Sequence, residues 1–130
     1  MLTLHHIGNL VEDIDVQLES FKLIFGNNCA GEKIFVSSQG VFVCFVNIGK
    51  EVMMELIQPV DEGSVVSKMR KKGITYYHVA YTTTTFDSTS DYLVSVDYKI
   101  VNLFYSEAFN NKRCQFMYTP GGSLIELIEI

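Results

Sequence analysis

A chain of 130 residues, 48% of them apolar, has the material for one ordinary globular core. Fifteen acids against ten bases leave a formal charge of −5, without the basic face that phosphate backbones require, which excludes nucleic acid as an expected partner. No run is long and apolar enough to span a membrane, and a strand pattern begins at Thr3 with no leader ahead of it, so the expectation is a soluble cytoplasmic protein.

Residues Thr3 to Val11 alternate around His6 and predict a first strand. Asp13 and Asp15 can cap the helix that follows, whose apolar positions Ile14, Leu18, Phe21 and Phe25 form one stripe, and Gly26 with Asn27 and Asn28 stops it. Three strands are expected next, Lys33 to Ser37, Val41 to Ile48 and Val52 to Gln58, the last ended by Pro59. This order is βαβββ. Residues 60–74 read as a linker helix, with Ser64 as its N-cap and Lys68, Arg70, Lys71 and Lys72 crowding its end. Those cations suit the helix dipole; the alternative is contact with an anionic substrate tail. From Thr75 a strand carries His78, a threonine-rich turn leads into a helix from Phe86 to Val96, and three strands follow: Lys99 to Tyr105, Arg113 to Thr119 and Ser123 to Ile130. The loop Ser106 to Lys112 is expected to rim a pocket.

The second βαβββ run echoes the first. MELIQ (Met54 to Gln58) returns 71 positions later as IELIE (Ile125 to Glu129), and LHHIG (Leu4 to Gly8) returns 72 positions later as YYHVA (Tyr76 to Ala80). His6 thereby matches His78, Glu55 matches Glu126, and Phe45 matches Phe116. One polar residue in an apolar strand is unremarked, but a histidine and a glutamate each returning at nearly the same offset indicate an internal duplication with chemistry at each matched position. The expected architecture is α+β, a single domain of two βαβββ modules (1–59 and 75–130) in pseudo-twofold pairing, their curved mixed sheet enclosing a site.

A carboxylate in such a strand is costly unless it meets a cation or donors. Two imidazoles and two carboxylates converging from two copies make a ligand set for one divalent ion, zinc, cobalt, nickel, manganese or iron, and the lack of thiolates disfavours a closed structural zinc site. Hence His6, Glu55, His78 and Glu126 are the candidate metal ligands. Two anionic ligands offset the ion's charge, so Lewis-acid assistance to a chelating substrate suits the site better than hydroxide attack. The reaction that profits most is proton removal beside a carbonyl, with a nearby carboxylate moving the proton. Cys29, Cys44 and Cys114 lack metal spacing and read as small buried hydrophobes. By alternation His5 should point to the face opposite His6, with Tyr77 as its counterpart, and Glu129 should face away from Glu126 into solvent. Gln39 is either a cavity residue or a plain turn residue.

These residues resemble the vicinal oxygen chelate superfamily, which includes glyoxalase I, methylmalonyl-CoA epimerase, extradiol dioxygenases and bleomycin-resistance proteins. The resemblance spans nearly the whole chain and looks closest to methylmalonyl-CoA epimerase through HHIGNLVEDID (His5 to Asp15), QGVFVCFV (Gln39 to Val46), MELIQPVDEGSVVSKMRKKG (Met54 to Gly73), YYHVAY (Tyr76 to Tyr81) and TPGGSLIELIE (Thr119 to Glu129). It implies metal binding by His6, Glu55, His78 and Glu126, a small-molecule substrate such as an acyl-CoA thioester, and a homodimer. One departure stands out: such epimerases commonly carry a glutamate just before the Gln-Gly pair as an acid/base, and this chain has Ser37 and Ser38 there. Serine does not replace a carboxylate base unaided. By analogy with glyoxalase I, the base is then a ligand, Glu126 or by symmetry Glu55. The alternatives are a glyoxalase I-like lyase acting on a hemithioacetal, and a resistance-type protein that binds small molecules without catalysis. A ring-cleaving dioxygenase is disfavoured, because Glu55 takes a coordination place it would need open.

Overall fold

Residues 2–130 are described by a computed structural model, in which the chain runs β1 (Thr3–Leu10), α1 (Ile14–Phe25), β2 (Ala30–Val36), β3 (Val41–Gly49), β4 (Val52–Pro59), α2 (Val65–Lys71), β5 (Tyr76–Thr83), α3 (Phe86–Ser95), β6 (Lys99–Ser106), a 3₁₀ turn (Glu107–Phe109), β7 (Lys112–Tyr118) and β8 (Leu124–Glu129). Asp13 caps α1 as expected, its carboxylate accepting from the backbone N–H groups of Asp15 and Val16. Ser64 does the same for α2 through Ser67 N–H. Strand β2 begins at Ala30, three residues before the position expected from alternation. The difference is tertiary: Ala30 already pairs with Val46, and a register shift between Ala30 and Lys33 absorbs the intervening residues.

The two βαβββ modules form one eight-stranded mixed sheet in the order β2-β3-β4-β1-β5-β8-β7-β6. The expected pseudo-twofold pairing is made through β1, which lies antiparallel to β5, so the modules join edge to edge and the sheet's curvature does the enclosing. Ile7 pairs with Val79, His6 with Ala80 and Gly8 with His78, which centres the pseudo-twofold on Ile7 and Val79. The two outer ends of the sheet are fastened across the opening. Ser37 N–H donates to Glu107 Oε2 at 2.6 Å, and Ser38 Oγ donates to the Tyr105 carbonyl at 2.9 Å.

Burial follows from having both faces covered. Met54, Glu55, Leu56 and Ile57 are all buried in succession, a run that alternation with one wet face does not produce. Met54 and Leu56 pack with Ile14, Val11, Cys44 and Val46 beneath α1, while Ile57 joins Leu10, Val41, Val43 and Val66 on the other side. Truncating Leu56 to alanine would cost about 2–5 kcal/mol. In the second module Leu93 of α3 packs on Met117 and Ile125. All three cysteines are free and buried, as expected. Among the described residues no helix is long and apolar enough to cross a membrane.

Candidate metal centre

Each half of the sheet delivers one imidazole and one carboxylate by the same construction. Glu55 on β4 lies between Gly8 of β1 and Phe45 of β3, and Glu126 on β8 lies between Ala80 of β5 and Phe116 of β7. A small residue on one side leaves room for an imidazole; a phenyl ring on the other keeps water out. Gly8 is required at its place, because a Cβ there would stand 2.5 Å from His78 Cε1.

The four side chains converge. His6 Nε2 lies 3.0 Å from His78 Nε2, 3.3 Å from Glu126 Oε2 and 3.5 Å from Glu55 Oε1. His78 Nε2 lies 3.0 Å from Glu126 Oε2 and 3.6 Å from Glu55 Oε1. One ligand atom from each residue falls within 4.8 Å of the others, and all four residues are buried. Two buried imidazole nitrogens aimed at each other and at two buried carboxylates are a donor set that could hold a divalent ion.

Without an ion, protons must do that work. Burial alone would lower the His6 imidazole, but the charges and hydrogen bonds of Glu55 and Glu126 outweigh it and hold it up at about 10. Burial likewise opposes the charge of Glu126, yet hydrogen bonds from His6 and His78 keep its carboxyl well below the usual range. A cation at the centre of the four would satisfy the same carboxylates without a buried imidazolium.

The cavity beside the four is mostly apolar, walled by Val36, Val41, Val43, Ile57, Val66 and Phe104, with Gln39, Tyr77 and Ser106 adding polar atoms. Gln39 therefore takes the first of its two readings. The expected pocket-rim loop contributes Ser106 and Phe109, and the Phe109 ring stacks on His6 at 5.9 Å with an interplanar angle of 10°. The sequence places this phenylalanine in a rim loop; its stacking on His6 comes only from the closure of the β6 end of the sheet against the β2 end. Burial pushes the Tyr77 phenol up to about 12, with Glu126 adding to the effect.

Two expectations need correction. His5 does not point away from His6. A register shift in the β1–β5 pairing sets Leu4 opposite Tyr81 and His6 opposite Ala80, so His5 is the extra residue of a bulge. Its ring meets Phe45 at 5.8 Å and Phe109 at 5.4 Å, on the cavity side, and its Nδ1 is 2.8 Å from His6 Nδ1. The matching shift between Gly8 and Asn9 leaves Tyr77 as the extra residue of β5, where it lines the cavity. Glu129 does face away from Glu126 but is not simply solvated: it binds Arg113 at 2.7 and 3.0 Å, and Arg113 also holds Asp87. Of the linker cations, Arg70 and Lys71 line an outer groove with Glu12 and Glu62 and do not line the cavity.

Paired βαβββ modules in one curled sheet around a buried two-histidine, two-glutamate cluster that could hold a metal ion define a glyoxalase-type scaffold. Residues 5–118 match the model of the Glyoxalase/Bleomycin resistance protein/Dioxygenase superfamily, and the chain belongs to that superfamily. Among solved structures it is similar to methylmalonyl-CoA epimerase from Mycobacterium tuberculosis, with 28% identity, a TM-score of 0.82, and coverage of 97% of this chain and 86% of that one. It is also similar in fold to a variant of the Streptomyces coelicolor epimerase in complex with 2-nitronate-propionyl-CoA, with 22% identity, a TM-score of 0.84, and coverage of 99% and 98%. A methylmalonyl-CoA epimerase in complex with methylmalonyl-CoA and ammonium shows 22% identity, a TM-score of 0.84, and coverage of 99% and 95%. No curated protein matches the sequence significantly.

Proposed function

We propose that this chain is a divalent-metal-dependent isomerase that removes and returns a proton beside a carbonyl, of the methylmalonyl-CoA epimerase type. The observation that carries the reading is the convergence of His6, Glu55, His78 and Glu126 inside an otherwise apolar cavity. When bound, the ion would supply a Lewis acid for the negative charge that develops on the substrate's carbonyl oxygen. His6 and His78 hold it as neutral donors, and the two carboxylates balance its charge.

The proton is moved by a carboxylate of this site. By the pseudo-twofold, Glu126 and Glu55 are equivalent candidates for the group that moves the proton. Glu55 is the freer of the two, because its Oε1 stays 3.5 and 3.6 Å from the imidazoles while Glu126 Oε2 is at 3.3 and 3.0 Å. The walls of valine, isoleucine and phenylalanine exclude water and favour a small acyl group attached to the chelating oxygens. An acyl-CoA thioester is the substrate class that the epimerase relatives support.

One observation favours a second reading, a glyoxalase I-like lyase acting on a hemithioacetal. The turn where epimerases commonly carry a glutamate here presents Ser37 and Ser38, and both are engaged with Glu107 and Tyr105. A ligand carboxylate is then the base in either case. Exchange of α-protons for deuterium, followed by NMR across acyl-CoA thioesters and hemithioacetals with metal-loaded protein, separates the two. Exchange confined to hemithioacetals would overturn the epimerase reading, and exchange with neither would leave a small-molecule binding role.

A further inference from the structure

The pseudo-twofold makes His6 and His78 equivalent, yet their surroundings differ at the second ring nitrogen. His6 Nδ1 is 2.8 Å from His5 Nδ1. His78 Nδ1 is buried with no hydrogen-bond partner among the described residues. The bulged residue beside His78 is Tyr77, whose ring lies edge-on to the imidazole with centroids 4.9 Å apart and offers that nitrogen no hydrogen bond. So one module supplies a held imidazole and the other an unheld one.

We propose that His5 is a positioning residue, which fixes the tautomer and orientation of His6 so that Nε2 presents its lone pair to the metal site. The inference rests on the metal reading above. For Nε2 of a neutral imidazole to act as a ligand, the ring proton must sit on Nδ1. That N–H then donates to His5 Nδ1, which must be the unprotonated nitrogen of its own ring, with the His5 proton on Nε2. Packing holds the acceptor in place: the His5 ring is wedged edge-on between Phe45 and Phe109, and Phe109 in turn stacks on His6. A partner of this kind orients a ligating imidazole and raises its basicity, and its loss generally costs roughly 10–100-fold in metal affinity. The bulge between Leu4 and His6 is what makes the contact possible, since two successive side chains of a regular strand point to opposite faces.

The test compares wild type, His5→Phe and His5→Gln by titration of the metal-free proteins with cobalt(II), reading dissociation constant and visible absorption. Phenylalanine keeps the packing against Phe45 and Phe109 but accepts nothing; glutamine keeps an acceptor oxygen. We expect His5→Phe to weaken cobalt binding roughly 10–100-fold with a changed band shape, His5→Gln to lose much less, and the metal-free circular dichroism of all three to coincide. A wild type that loads normally alongside a His5→Phe protein of equal affinity and spectrum would overturn the inference. Equal losses in both variants would also overturn it, by assigning the effect to the ring and not to its acceptor. A wild type that takes up no cobalt would instead bring down the metal reading itself.

Discussion

Gly8 on β1 faces His78 on β5 across the seam that joins the two modules, and the imidazole occupies the space where any side chain at residue 8 would begin. A Cβ on Gly8 would lie within 2.5 Å of His78 Cε1 and 2.6 Å of His78 Nδ1. Gly8→Ala should therefore displace the ring and not the strand. Expected is at least a tenfold loss of cobalt affinity, on the order of 1–3 kcal/mol of overpacking cost to the fold, and a smaller loss in Ala80→Gly, which relieves space and adds none. Parallel cobalt titrations and thermal melts check both.

The two carboxylates should separate by function. Glu55→Gln is expected to lower α-proton exchange by roughly 10²–10⁴-fold while losing less metal affinity than Glu126→Gln, whose carboxylate stands closer to both imidazoles. Exchange rates measured at saturating cobalt decide it. If Glu126→Gln keeps its metal and only Glu55→Gln fails to load, the assignment of roles is reversed.

The metal-free protein should have a pH profile set by His6 and Glu126. The folded value of His6, about 10, lies above its ordinary 6.5, so its contribution to stability is complete below pH 6.5 and is lost as pH rises through about 10. Glu126 is held below its ordinary 4.5, so its contribution is present above that value and is lost as pH falls beneath it. Stability of the metal-free form should accordingly be greatest between about pH 4.5 and 6.5. Cobalt reverses the alkaline limb, because the ion replaces the proton and its uptake releases one. Urea melts with and without metal, and proton release on loading, test this; a metal-free form equally stable at pH 6 and 9 would contradict it.

Chelation should unfold the protein more readily. An ion bound only by the folded chain adds RT ln(1 + [L]/Kd), about 2.7 kcal/mol at 100 times Kd. Wild type is expected to lose that increment on treatment with a chelator, whereas His78→Ala should show no chelator-dependent shift in its melting temperature.

Arg113 ties three elements together through Asp87 on α3 and Glu129 on β8, with its guanidinium 4.6 Å over the Phe86 ring. Its hydrogen bonds hold the Glu129 carboxyl below the usual range, so that part of the stability is present above pH 4.5 and lost below it. Arg113→Met should lower the melting temperature at pH 7, most at low salt, and leave cobalt affinity unchanged. An equal loss at high and low salt would assign the effect to packing.

Much of this protein was already determined by the order of its residues. The repeat of His6 and Glu55 as His78 and Glu126 at a near-constant offset specifies two copies and a shared chemistry, because alternation assigns a face to every residue of a regular strand. Caps at Asp13 and Ser64 mark helix starts for equally local reasons. What the tertiary structure alone decided lies where that local rule is broken or where distant segments meet. His5 reaches His6, and Tyr77 the cavity, only because β1 and β5 pair with two bulges, a property of two strands together that neither strand's pattern contains. The edge-to-edge join of the modules, and the fastening of Ser37 to Glu107 across 70 positions, likewise depend on sheet curvature, which accumulates over eight strands and leaves no signature in any one of them.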